Sequence, residues 1–207
     1  MIMKKILLFG IILAAGLLLA SCGMAGGAGA VDLTDGTNLD PNLKTMLGKE
    51  IAPEAKIVRV GFIPGAKETM EMDIVSVELY ESDEAEKTMI YTFYPSGMGP
   101  FSKDESRGSM NWTASAQQGA MLADIDFALV AKYVGQGIDI IENDRNCLCV
   151  GINSYSMQVD KATGEWKHDF KLENKPDEAK KAGGKPVKFT YAELKFDVVD
   201  GQAALGK

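Results

Sequence analysis

Histidine and cysteine are almost missing from this chain of 207 residues, which holds one His (His168) and three Cys (Cys22, Cys147 and Cys149). With so few imidazoles and thiols, most metal sites and nucleophile–base pairs cannot be assembled. The serine elbow Gly-x-Ser-x-Gly, the motif His-Glu-x-x-His, the phosphate-binding P-loop and the dinucleotide fingerprint are absent as well. A Ser–His–Asp triad would have to use His168. Carboxylate pairs of the glycosidase kind occur in any acidic protein and mark no position here. The sequence therefore points away from an enzyme, and it requires no cofactor and no metal. Positive charge is scarce too. The 22 Lys and Arg face 29 Asp and Glu, a balance that repels nucleic acid and excludes it as a partner.

What is present begins at the amino terminus. Lys4 and Lys5 precede an uncharged apolar run, Ile6 to Ala20, which has the length of a signal-peptide core and is short for a membrane span. The tetrapeptide Leu19-Ala20-Ser21-Cys22 resembles the lipobox of bacterial lipoproteins. That resemblance implies cleavage before Cys22, diacylglycerol on its thiol and an acylated new amino terminus. A plain secretory peptide and a transmembrane anchor are the alternatives. Several acyl chains, each contributing about 0.8 kcal/mol per buried methylene, would hold the protein to a membrane where one could not. Gly23 supplies no inner-membrane retention aspartate, which favours the outer membrane of a bacterial envelope. Losing Lys4 and Lys5 with residues 1–21 takes the 22 basic residues to 20 against 29 acidic, a formal charge of −9.

Residues 22–39 are Gly/Ala-rich and then polar, as expected of a flexible tether. Within them DLTDGTNLD has the look of a calcium loop, but Val31 stands where the loop needs an acid five before Gly36. Asp40-Pro41 predicts a helix start, with Leu43, Leu47 and Ile51 on one face. KIVRVGFI predicts a strand. Val75, Val77 and Leu79 alternate, as do Met89, Tyr91 and Phe93, across the acidic turn Asp83, Glu84 and Glu86. Pairing Val77 with Tyr91 puts all six on one buried face of a hairpin.

Residues 96–114 are rich in Gly, Ser and charge and read as a linker. Ser115 and Gln118 have capping-box spacing, which predicts a helix through Met121, Ile125, Leu129 and Tyr133 stopped by Gly135 and Gly137. GIDIIE then reads as a strand and SYSMQVDKATGEWKHDF as a hairpin. In VKFTYAELKFDVV, Val187, Phe189 and Tyr191 share a phase that Leu194, Phe196 and Val198 have switched, so an extra strand with a bend near Ala192-Glu193 is expected.

An ungapped offset of 78 residues lays Leu43, Leu47 and Ile51 on Met121, Ile125 and Leu129, and Val60, Phe62 and Ile63 on Ile138, Ile140 and Ile141. The fold expected is thus α+β, with two tandem helix-plus-antiparallel-sheet repeats over residues 40–95 and 115–207. The second hairpin, with Asp160, Thr163, Gly164 and Glu165 at its turn, resembles the hairpin that closes PepSY domains. The tandem plan resembles the β-lactamase inhibitor protein in architecture. Both resemblances imply a small envelope module that binds or restrains another protein or peptide, with no catalytic residues to carry over.

Three groups remain as candidates for chemistry. Cys147 and Cys149 share a strand face with Tyr155, Met157 and Val159, so they read as buried thiols. A disulfide or a thiol-redox function is the alternative. His168 falls opposite Met157 and faces the core between Trp166 and Phe170. In the linker, Phe101, Met110 and Trp112, with Met98 nearby, either fold back onto the seam between repeats or offer an aromatic anchor to a protein partner. A carbohydrate-binding accessory lipoprotein is a further alternative, and its surface would need a row of exposed aromatics.

Overall fold

A computed structural model describes residues 29–97, 99–106, 114–144, 147–176 and 192–206. Cys22, Met98, Met110, Trp112, Val187, Phe189 and Tyr191, together with the leader, lie outside these residues. The fold is α+β. Eight strands form one antiparallel sheet, and among the described residues two α-helices lie in the layer against it.

The first helix, α1 (Leu39–Leu47), is followed by β2 (Lys56–Ile63), β4 (Ile74–Tyr80), β5 (Met89–Phe93) and β6 (Ser102–Glu105), each paired with the next. The second, α2 (Ala128–Asp139), is followed by β7 (Cys147–Val159), β8 (Trp166–Pro176), β9 (Ala192–Val199) and β10 (Gln202–Leu205), again paired in sequence. The two runs join where β2 pairs antiparallel with β7, giving the order β10-β9-β8-β7-β2-β4-β5-β6. A short ribbon of β1 (Val31–Asp32) and β3 (Glu71–Met72) lies beside α1.

Alternation in the strands sets the core face. Val77 pairs with Tyr91 and Val75 with Phe93, as the hairpin pattern predicts, and these four with Leu79 are buried. Register then draws an aromatic row across the join. Phe62, Tyr155, Phe170 and Phe196 are cross-strand neighbours on four successive strands. Tyr155 stacks on Phe170 at 5.3 Å and Phe170 on Phe196 at 5.1 Å, while Phe62 meets Tyr155 edge-on at 5.9 Å. All four are essentially inaccessible, and deleting one ring would cost about 3–5 kcal/mol. The row therefore binds the two runs of strands into a single core.

Several expectations are overturned. The presumed tether is folded from Val31 onward: Leu33 and Leu39 are buried, and Asp32 and Asp35 accept local N–H groups in turns. The first helix starts at Leu39, not at Pro41, so Asp40 lies inside it. Ser102–Glu105 of the supposed linker is an edge strand, whose charged sequence SKDE suits an exposed rim. The capping-box pair is present, with Ser115 N–H donated to Gln118 Oε1 at 2.9 Å, but it opens a 3-10 turn, Ala116–Gln118.

The largest difference concerns α2. Gly135 and Gly137 do not stop the helix; it runs through both to Asp139 and ends in a π-helical turn, Ile140–Asp144, where a strand was expected. Gly137 is the reason the helix sits so close. A Cβ there would come within 2.8 Å of Phe170 and 2.9 Å of Leu172, so only glycine allows α2 to lie directly on β8. The 78-residue offset consequently places β2 on helix and α1 on 3-10 turns. At the carboxyl end, Leu194, Phe196 and Val198 do face the core. Beyond them Asp200 (φ 52°) and Gly201 (φ 71°) form a tight turn into β10, a strand the sequence reading missed although Asp-Gly is a strong hairpin signal.

Candidate functional site

Because the two helices pack on one side of the sheet, the other side carries the outward set of each strand. Around the β2–β7 join these are small or polar: Ser76, Gly61 and Ser156 are direct cross-strand neighbours, and Arg59 stands between Glu78 and Gln158 in the next row. Short side chains flanked by long ones leave a groove of about 360 Å³, lined by Arg59, Gly61, Ser76, Glu78 and Ser156 with Ile63, Ser154 and Asp169. Glu78 Oε1 accepts the Thr88 and Ser106 hydroxyls at 2.8 and 3.0 Å, which fixes that wall. Ile63, 47 % exposed, supplies an apolar rim.

The electrostatics of this face alternate in rows. Asp169 pairs with Asp197, Lys171 with Lys195, and Glu173 with Glu193. Like charges opposite one another are relieved along the strand and the diagonal, by Lys195 to Asp197 at 3.1 Å and Lys171 to Glu193 at 3.5 Å. Burial holds the Asp169 carboxyl above its ordinary range. Asp197 adds to that rise, while Lys195, Arg59 and Lys171 oppose it.

His168 pairs with Met157 on β7 and lies on the core face, as expected, whereas Ser154 and Ser156 line the groove, so no serine there meets the imidazole. Nδ1 of His168 and the Tyr155 hydroxyl are 2.9 Å apart, and the Tyr133 ring of α2 meets the imidazole edge-on at 5.0 Å. Burial depresses the His168 pKa to about 4 and raises that of Tyr155.

Cys147 and Cys149 form no disulfide and are half-buried against the core. Two bulges in β7, at Val150 and Asn153, cancel in phase and return both cysteines to the face of Tyr155. Burial pushes the Cys149 thiol up to about 11, the opposite of what a reactive thiolate needs. Cys149 pairs with Asn174, six residues along β8 from His168, so the three do not converge. Among the described residues no cluster of His, Cys, Asp or Glu could hold a metal.

Phe101 is 37 % exposed and packs on Tyr91 and Phe93 at 5.4 and 5.2 Å, near the β6 edge and away from the β2–β7 join. Asp83, Glu84 and Glu86 form an exposed loop tip. At the second hairpin Gly164 has a φ of 74°, and Asp160 Oδ1 accepts the N–H groups of Ala162 and Thr163, both at 2.9 Å. The Lys167 ammonium, with those backbone bonds behind it, holds the Asp160 carboxyl down at about 2. Gln117 and Gln118 donate to the carbonyls of Asp83 and Lys161, tying both hairpin tips to one 3-10 turn, a link with no signal in the sequence.

Against known proteins, the chain matches no family model, no curated protein and no solved structure.

Proposed function

We propose that this chain is a lipid-anchored, non-catalytic protein of the bacterial envelope, held at the outer membrane through Cys22, that binds another protein or peptide on the uncovered face of its sheet. The observation that carries the binding part is the groove at the β2–β7 join, where Arg59, Ser76, Ser154 and Ser156 are presented on rigid strands and, among the described residues, no helix covers them. Strands make a firmer platform than loops, and polar groups around a shallow groove suit recognition of a partner's surface. The anchoring part is supported by the leader and the Leu19–Cys22 tetrapeptide. Among the described residues no helix is long and apolar enough to cross a membrane. We also propose that the two helix-plus-four-strand runs are similar units. Their matching order of elements supports this, in place of the 78-residue register.

Affinity capture from envelope extracts tests the reading, with wild-type protein and a groove variant, Arg59→Glu with Ser156→Arg, as baits. A partner protein held by the wild type and lost by the variant is the expected result. Recovery of no protein, alongside binding to a glycan array, would overturn it in favour of a carbohydrate-binding lipoprotein.

A further inference from the structure

The described chain begins beside α1, in the layer of the helices. Gly29, Ala30 and Val31 line a groove against Asn42, Thr45, Met46 and Lys49 of α1 and the turn after it. Seven residue steps separate Gly29 from Cys22, a reach of at most about 25 Å even when fully extended. A helix with its side chains is about 10–12 Å thick, and the sheet lies beneath it. The groove with Arg59 is on the other side of the sheet from the helices, and so from the layer that holds Gly29. Turning the uncovered face to the bilayer would demand a taut tether running round the rim.

The exposed surface of α1 is polar. Pro41, Asn42, Thr45 and Lys49 are exposed and carry no carboxylate, while Glu50, just beyond, is offset by Lys49. Nearby acids are engaged within the fold: Asp40 by Phe127 N–H and Lys44, Asp32 by Thr34, and Asp35 by Thr37 and Asn38.

We propose that the short reach from Cys22 holds the α1 surface, Asn42, Thr45 and Lys49, against phospholipid headgroups and points the groove at Arg59 away from the membrane. This rests on lipid attachment at Cys22. It makes the anchor an orienting device, since a partner meets the uncovered face directly.

The test uses lipidated full-length protein in vesicles of phosphatidylethanolamine and phosphatidylglycerol, with an energy acceptor on the headgroups. A donor dye is placed at Thr45→Cys or at Gln158→Cys in a Cys147→Ser, Cys149→Ala background. Transfer from position 45 should exceed that from position 158 severalfold. Inserting about 20 Gly/Ser residues between Gly27 and Ala28 should erase the difference. Equal transfer, stronger transfer from 158, or a difference that survives the insertion overturns the proposal while leaving the anchor intact. Mass spectrometry finding no lipid on Cys22 overturns both. A headgroup photo-crosslinker gives the same comparison on unsubstituted protein, with adducts expected in residues 41–49 and not in β2 or β7.

Discussion

The carboxylate of Asp40, inside α1, accepts the backbone N–H of Phe127 at the foot of α2, 3.0 Å away and 87 positions later in sequence. One side chain thus satisfies an amide beside a fully buried ring and fixes the second helix relative to the first. Replacing it with alanine leaves that amide without its acceptor. Asp40→Ala should destabilise the fold by about 1–2 kcal/mol in urea unfolding. Lys44→Ala, which removes only the i,i+4 partner of Asp40, should cost no more than about 0.5 kcal/mol. Equal effects would show that the ion pair, not the amide, is the relevant contact.

The two glycines of α2 should respond in opposite directions. Gly135→Ala meets nothing within 4 Å and should stabilise the protein by up to about 1 kcal/mol through helix propensity. Gly137→Ala drives a methyl into Phe170 and Leu172 and should cost about 1–3 kcal/mol net of that gain. Thermal unfolding of the two variants side by side is the check.

His168 should make stability depend on pH. Its folded pKa of about 4 lies below the ordinary 6.5, so between these values the unfolded chain binds a proton that the native chain refuses. The contribution is complete above about pH 6.5 and is lost as pH falls toward 4, on the order of 3 kcal/mol in all. Subtracting the profile of His168→Gln isolates it from the carboxylates. As the only histidine, its ring resonances also report the pKa directly by NMR, and a midpoint near 6.5 would contradict burial between Tyr155 and Tyr133.

Cys149 should be inert in the native protein. In a mature chain carrying Cys22→Ser and Cys147→Ser, a thiol reagent at pH 8 should modify it only in denaturant, since burial keeps the thiol protonated. Rapid native labelling would revive the thiol-redox alternative.

Local pattern made the hairpins legible. Period-two alternation specifies which side chains share a face, so the Val77–Tyr91 and Met157–His168 pairings and the inward His168 follow from spacing alone. Turn chemistry did the same at Gly164, and would have done so at Asp200-Gly201. Helix and strand were harder to separate in α2. An apolar segment with two glycines is ambiguous until a neighbour demands close approach, and Phe170 and Leu172 on a distant strand make that demand.

Sequence by itself determined the lipobox-like start, the acidic balance, and the in–out order of each strand, because each depends on residues a few positions apart. Tertiary structure alone decided that β2 pairs with β7, that four aromatic rings line up across the join, and that the two described helices share one side of the sheet. Alternation says that a strand has two faces. Which strand lies beside it, and which face the helices cover, depends on contacts between segments that no local period encodes.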